Sequence, residues 1–298
     1  KKRIGLLVGT TASGFTQTER AYRHLTPSGD LPENFDYINA AHPYASCRFL
    51  RDYLDLQGHA YVLATACSSS AKIFIHAQQL ISQSICDAVL VVGIDALCLN
   101  VLYGFNALGV LSHLPCQPFG QDRKGLSLGE ASAMFLLEKP RDGKLALLGA
   151  GESTDGYHMS SPHPEGQGAI LSMKQALATA GLEAHDIDYI NCHGTASELN
   201  DAAESKAIEA VFGDKPLCSS TKGLTGHTLG AAGALEALLS CLAIDKQMAW
   251  GTSNTLVKDP KLNANIALSN ITTPINVALS NSFGFGGNNA SLIFGGLS

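Results

Sequence analysis

The chain has 298 residues, 45% hydrophobic and 15% charged, which is enough apolar material for a large buried core and far from the composition of a disordered polymer. Its 20 basic and 26 acidic residues leave a net charge of −6, which offers no electrostatic footprint for a polyanion and argues against nucleic acid as a partner. Eight cysteines without a CxxC pair, most of them inside apolar runs, read as thiols of a reducing cytoplasm rather than a secreted disulfide framework.

The opening Lys1-Lys2-Arg3 and the apolar residues after it are too short for a signal peptide and read as a first β-strand over 4–8. A loop over 26–43 and a helix over 45–54 lead to a second strand at 60–64. A helix over 71–81 follows, then a strand at 87–95, a helix at 100–111 and a strand at 131–138. The stretch 88–111 is apolar enough to consider as a membrane span. Asp95, Asn100 and Asn106 interrupt it and three glycines punctuate it, so it reads as buried protein. The second half predicts strands at 144–149, 187–192 and 216–219 alternating with helices at 168–180, 201–212 and 231–242, and closes on strands at 277–281 and 290–294. Both halves end in two strands around a glycine-bearing segment. A duplicated βα unit and a single undivided α/β domain explain that pattern equally well.

Three places can carry chemistry. Cys67, in Thr65-Ala66-Cys67-Ser68-Ser69, falls between a predicted strand and a predicted helix, where backbone N–H groups at the helix start favour a thiolate. His193 stands at the end of a predicted strand, where α/β folds collect reactive groups. Lys222 and His227 share a glycine-spaced loop after another strand. A buried structural cysteine and solvent-facing histidines are the bland alternative for each residue taken singly; their coincidence as a Cys/His/His set favours nucleophilic catalysis. Zinc is the rival for such a set, but the three residues come from distant loops without a short ligand pair, which argues against a metal. The segment 281–289, Asn-Ser-Phe-Gly-Phe-Gly-Gly-Asn-Asn, reads as a hairpin turn or as a source of oxyanion N–H donors. It has no helix after it and so is no dinucleotide fingerprint.

Four motifs in this order resemble the β-ketoacyl-acyl carrier protein synthases of the thiolase superfamily: 65–69 around Cys67, His193-Gly194-Thr195, Ser220-Thr221-Lys222 with Gly226-His227, and the glycine segment 281–287. Thiolases proper carry a second catalytic cysteine where this chain has the glycine segment, and the second histidine points to the elongating Cys-His-His type. The resemblance implies an α/β, thiolase-like duplicated fold with two mixed sheets and buried helices, in halves 1–140 and 141–298. It also implies that the first half lacks its opening strand, which would lie inside the sheet and leave its neighbours unpaired. The implied reaction is a decarboxylative Claisen condensation. Cys67 takes the acyl chain, the backbone N–H groups of Cys67 and Phe283 hold the oxyanion, and His193 and His227 bind the thioester carbonyl of malonyl-acyl carrier protein. Lys222 and Glu204 support the histidines, Phe283 resembles the family's gate to the acyl pocket, and Phe285 and Gly286 belong to the same loop. No cofactor or metal is implied. The partners are acyl carrier protein and a second subunit, as a homodimer or as a heterodimer with a synthase-like chain, in the cytoplasm and without a membrane span. Residues 71–72 and 160–166 are similar to synthases of aryl polyene or related pathways, and the presence of Cys67 argues for the catalytic member of such a pair. A catalytically silent subunit or an incomplete fragment is the alternative, and a thioester hydrolase using Cys67 and His193 is a third reading.

Overall fold

The computed structural model describes residues 1–140 and 145–296. In chain order its elements are β1 (Ile4–Gly9), α1 (Phe15–Arg23), α2 (Ala45–Tyr53), β2 (Ala60–Leu63), α3 (Ser69–Ser82), β3 (Ala88–Asp95), α4 (Leu99–Ala107) and β4 (Ala131–Glu138). They continue with β5 (Ala146–Thr154), α5 (Gln167–Ala180), β6 (Tyr189–Asn191), α6 (Glu198–Phe212), β7 (Leu217–Ser219) and the short α7 (Lys222–Thr225). The chain closes with α8 (Ala232–Lys246), the two-residue strands β8 (Met248–Ala249) and β9 (Ile271–Thr272), and then β10 (Val277–Gly284) and β11 (Asn288–Gly295).

The first sheet has the order β2-β1-β3-β4, with β1 parallel to β2 and β3, and β4 antiparallel to β3. The second has the order β7-β6-β10-β11-β5, with β6 parallel to β7 and β10, and β11 antiparallel to β10 and β5. Laid over one another, β2, β1, β3 and β4 match β7, β6, β10 and β11 in order and direction. The pattern left open by the sequence is therefore a duplication of topology. Among the described strands of these two sheets β5 alone has no counterpart, and this corrects the expected position of the unmatched strand. β5 pairs only with β11, at a sheet edge, so the unmatched place in the first sheet is the edge beyond β4. The ladder from β2 to β4 is continuous, with β3 and β4 paired from Ala88↔Glu138 to Asp95↔Ala131.

Five layers result from which faces are apolar. Leu7, Val89 and Val91 of the first sheet face inward onto Ile73, Phe74 and Ala77 of α3, and Ala290, Leu292 and Phe294 of the second sheet close the same cluster from the other side. Each large side chain buried there contributes about 1.5–3 kcal/mol. The helices α3 and α8 occupy this middle layer, and α8 approaches closely because it is small there: a Cβ on Gly233 would lie 2.5 Å from the Ala71 backbone nitrogen. The outer faces are covered by α2, through Cys47 on Leu6, Val8 and Val92, and by α5 and α6, through Met173, Leu177 and Ile208 on Ile190, Leu279 and Ile293.

Several boundaries differ from expectation. The helix expected over 100–111 ends at Ala107, and Gly109 follows with φ +67°. The strand expected over 144–149 is β5, which runs on to Thr154; Lys144 lies outside the described residues. The strand expected to stop at 281 continues to Gly284, so Asn281, Ser282 and Phe283 lie on β10 and only Phe285–Gly287 form the turn. Among the described residues no helix is long and apolar enough to cross a membrane.

Candidate active site

The predicted residues follow the carboxyl ends of parallel strands, Cys67 after β2, His193 after β6, and Lys222 and His227 after β7, and they gather at one place. Cys67 sits on the elbow between β2 and α3. Ala66, just before it, holds a left-handed φ of +52°, and the hydroxyl of Ser68 turns back to Thr65 O at 2.9 Å. Cys67 is 6% exposed. His193 follows β6 and His227 follows α7, both buried, with their rings 5.3 Å apart and edge-on. His227 Nε2 lies 3.0 Å from Cys67 Sγ.

The partners of the other ring nitrogens settle both tautomers. The Leu229 N–H donates to His227 Nδ1 at 3.3 Å, and the Lys222 ammonium donates to His193 Nδ1 at 3.3 Å and to His193 O at 2.6 Å. With Nδ1 accepting in each ring, the proton is on Nε2, facing the sulfur and the cavity. Burial first, then the Lys222 charge, holds both imidazoles well below the usual histidine range, so they are neutral. Cys67, His193 and His227 bring ligand atoms within 4.8 Å of one another. Those nitrogens present N–H groups rather than lone pairs, so the donor set suits a developing oxyanion and not a cation.

Burial pushes the Cys67 thiol up to about 11, outweighing the Lys222 charge and the N–H groups of Phe285 and Cys67 that favour the thiolate. The expected thiolate at the helix start is therefore corrected: desolvation dominates and the resting group is a thiol. The second expected oxyanion donor is also displaced. The backbone N–H beside the sulfur belongs to Phe285, two residues beyond Phe283. The ring of Phe283 packs against His193 at 5.9 Å, while Phe285 stacks on Phe105 of α4 at 5.5 Å. Gly286, at φ +78°, donates its N–H to Met159 O at 2.8 Å and so ties this turn to the 155–165 loop. A Cβ on Gly284 would lie 2.9 Å from Thr65 O and 3.1 Å from the Cys67 nitrogen, so a side chain there would press on the elbow.

Lys222 and Glu204 are neither a loop lysine nor a surface carboxylate; each is 1% exposed. Glu204 on α6 accepts from the N–H groups of His193 at 2.8 Å and Gly194 at 2.7 Å, and Asn281 Nδ2 adds a third donor at 3.3 Å. Burial pushes its carboxyl up to about 7 against those bonds. Lys222 pairs with Glu236 of α8, also 1% exposed, so its three ammonium hydrogens meet Glu236, His193 O and His193 Nδ1. Glu236 was not singled out from the sequence. Its signal was there: a lone carboxylate within an otherwise apolar helical run over 231–244 must find a buried cation. The site opens into a cavity of about 450 Å³ lined by Cys67, both histidines, Phe105, Phe283 and Phe285 among others.

Comparison with known proteins matches this geometry to a class and then to a family. Residues 1–143 match the Beta-ketoacyl synthase N-terminal domain and residues 145–255 the Beta-ketoacyl synthase C-terminal domain. The chain is 37% identical over 311 residues to 3-oxoacyl-acyl-carrier-protein synthase 2 of Rhizobium meliloti (strain 1021), covering 97% of this chain and 71% of that protein. It is 35% identical over 305 residues to Nodulation protein E of Rhizobium meliloti, covering 98% and 75%. Among solved structures, a ketosynthase (ApeO) in complex with its chain length factor (ApeC) from Xenorhabdus doucetiae is 40% identical with a TM-score of 0.89, over 99% of this chain and 75% of that one. The ishigamide ketosynthase/chain length factor is 28% identical with a TM-score of 0.92, over 100% and 76%. The class is thus the thiolase-like condensing enzymes, acyltransferases that perform Claisen condensations on carrier-protein thioesters. Within that class the chain belongs to the β-ketoacyl synthase family.

Proposed function

We propose that this chain elongates acyl groups by decarboxylative Claisen condensation with malonyl-acyl carrier protein, using Cys67 as the nucleophile. The observation that carries the reading is the 3.0 Å contact of Cys67 Sγ with a His227 Nε2 that bears its proton, beside a second neutral donor on His193. In the first half-reaction the Cys67 sulfur attacks the acyl thioester carbonyl. The N–H groups of Cys67 and Phe285 stabilise the tetrahedral oxyanion, the carrier thiol leaves with a proton, and an acyl-Cys67 thioester remains. In the second, the malonyl thioester carbonyl accepts from Nε2 of His193 and His227. The bond to the malonyl carboxylate breaks, carbon dioxide departs, and the electron pair becomes an enolate. Its carbon attacks the acyl-Cys67 carbonyl, releasing the sulfur, which regains a proton, and a β-ketoacyl chain two carbons longer. Neutral N–H donors act mainly on charge that appears along the way, which is the differential binding that accelerates a reaction. Lys222, Glu204 and Glu236 hold the His193 backbone and ring in place. Phe285, stacked on Phe105, takes the gating part of the turn, with Gly286 as its pivot.

The halves 1–140 and 141–298 act as the two units of the site, the first supplying Cys67 and the second both histidines. Acyl carrier protein delivers both substrates, and a second subunit, identical or synthase-like, completes the enzyme. The likeness to a ketosynthase solved with its chain length factor supports the heterodimer. Together with residues 71–72 and 160–166 it favours a polyene-type pathway, and the cysteine usage favours a cytoplasmic location. The test is intact mass after mixing the chain with acyl-acyl carrier protein. An acyl adduct on wild type and none on Cys67→Ala, discharged by malonyl-acyl carrier protein into β-ketoacyl product, supports the proposal. No adduct on folded wild type means a silent subunit, and free acid released without malonyl donor means a hydrolase.

A further inference from the structure

Three residues near the site that are not glycine hold left-handed backbone angles: Ser13 at φ +42°, Ala66 at φ +52° and Leu229 at φ +54°. L side chains avoid this region, and such residues persist only where their surroundings over-determine them. The segments of Ser13 and Leu229 meet on one carboxylate, Asp95 at the end of β3, which is 3% exposed, and Ala66 is joined to it through Thr11. Its Oδ1 accepts from Thr10 Oγ1 at 2.7 Å and from the N–H groups of Ala12 at 2.8 Å and Ser13 at 3.3 Å. Its Oδ2 accepts from the N–H groups of Thr11 at 2.8 Å and Gly230 at 2.7 Å.

Each side of this carboxylate leads to a reacting group. On one side, Thr11 turns its hydroxyl to Ala66 O at 3.0 Å, the residue just before Cys67. On the other, Gly230 follows Leu229, whose N–H is the donor to His227 Nδ1. A Cβ on Gly230 would lie 2.7 Å from Asp95 Oδ2 and from the Thr11 nitrogen, so the turn closes on the carboxylate as far as backbone allows. The partners of Asp95 are four backbone N–H groups and one hydroxyl, and no lysine or arginine pairs with it among the described residues. A carboxylate bound in this way is a clamp on backbone, since charge-assisted bonds to N–H groups are the strong ones.

We propose that Asp95 is a positioning residue that clamps Cys67 and His227 together, bracing the cysteine elbow through Thr11 and fixing the His227 tautomer through Gly230 and Leu229. Asp95 lies outside the cavity lining and acts only through these groups. Its consequence for turnover rests on the condensation reading above; its geometry does not.

The test is Asp95→Asn in the full chain, which keeps the shape but aims an NH2 group at N–H donors. Three readouts are compared with wild type: ring ¹⁵N signals of His227 in [¹⁵N]histidine-labelled protein, assigned with a His227→Gln control; the rate of Cys67 alkylation by iodoacetamide; and kcat and KM with acyl- and malonyl-carrier protein. Wild type shows the Nε2–H tautomer alone, and the variant shows a mixture. Alkylation of Cys67 slows about tenfold, and kcat falls roughly 10²-fold with KM within about twofold, the loss expected of a displacement of about 1 Å. A folded variant that keeps the single tautomer and the wild-type alkylation rate overturns the proposal, even if its melting temperature is lower. Should Asp95→Asn not fold, Thr11→Val carries the test. It cuts only the elbow arm, so Cys67 alkylation slows about tenfold with the His227 tautomer unchanged, and an unchanged alkylation rate refutes the clamp. Wild type that performs no condensation removes the functional reading, while the tautomer and alkylation readouts still decide the clamp.

Discussion

Lys222 donates to His193 twice, through its carbonyl at 2.6 Å and its Nδ1 at 3.3 Å, while Glu236 holds the same ammonium from behind. One buried cation thereby fixes a backbone, a ring and a tautomer at once. Its companion Glu204 binds the same segment from the other side through the N–H groups of His193 and Gly194.

A buried pair of this kind is costly to break by halves. Glu236→Leu leaves the Lys222 ammonium uncompensated and is expected to cost about 3–5 kcal/mol. The double variant Lys222→Met with Glu236→Leu costs less than the two single variants summed. Urea unfolding of the four proteins checks this, and additive losses would contradict a coupled pair.

The two histidines are neutral because burial and Lys222 depress them, and this sets a pH window. A depressed imidazole protonates only well below 6.5, so malonyl decarboxylation stays level from pH 8 down through 6.5 and is lost further down. The folded state resists these protons while the unfolded chain takes them up from about 6.5 downward, so stability from these groups also declines as pH falls. A rate inflection at 6.5 that persists in Glu204→Gln would mean that the rings are not desolvated as described.

Glu204 has the opposite sign. Its carboxyl is raised to about 7 from 4.5, so the folded state holds a proton that the unfolded state has released, and stability from this group falls as pH rises from 4.5 to 7. Glu204→Gln removes that slope. The stability difference between variant and wild type should shift by roughly 2–3 kcal/mol in the variant's favour across the window, read from urea midpoints at pH 4.5 and 7. A constant difference would contradict a raised carboxyl.

Gly284→Ala places a methyl group 2.9 Å from Thr65 O. The elbow must shift, at a cost of about 1–3 kcal/mol, and acylation of Cys67 should fall about tenfold or more. Acyl transfer and thermal melting on the same sample read both effects, and wild-type acylation would show that the close contact relaxes freely.

Most of the framework was legible because burial left a period in the chain. The helix α3 and the strands β1, β3 and β4 carry continuous or alternating apolar runs, and Cys67 was readable as an elbow from the strand before it and the helix after it. The helix α1 was missed: its Thr16-Gln17-Thr18-Glu19-Arg20 run is polar and only Ala21 is buried, so no apolar stripe marks it. β10 was cut short at Asn281 because Ser282, Phe283 and Gly284 look like turn residues, yet they continue the strand, and Asn281 and Ser282 are buried with neighbours that supply partners. Asn281 binds both Glu204 and Ser291. Glu236 was missed although its apolar helical run marks it, and the partners of Glu236 and Asp95 were missed for a related reason. They come from other segments of the chain, and one-dimensional spacing carries no trace of them. The N–H beside the sulfur is that of Phe285 rather than Phe283, because the strand runs three residues further than the turn chemistry predicts.

In the proposed reaction Cys67 is the residue that carries the acyl group, and the most direct measurement is the intact mass of the protein after exposure to acyl-acyl carrier protein alone. One acyl group added to wild type, located on the Cys67 peptide and absent from Cys67→Ala, is the predicted result. Folded wild type that stays unacylated, or an adduct that persists in Cys67→Ala, would contradict it.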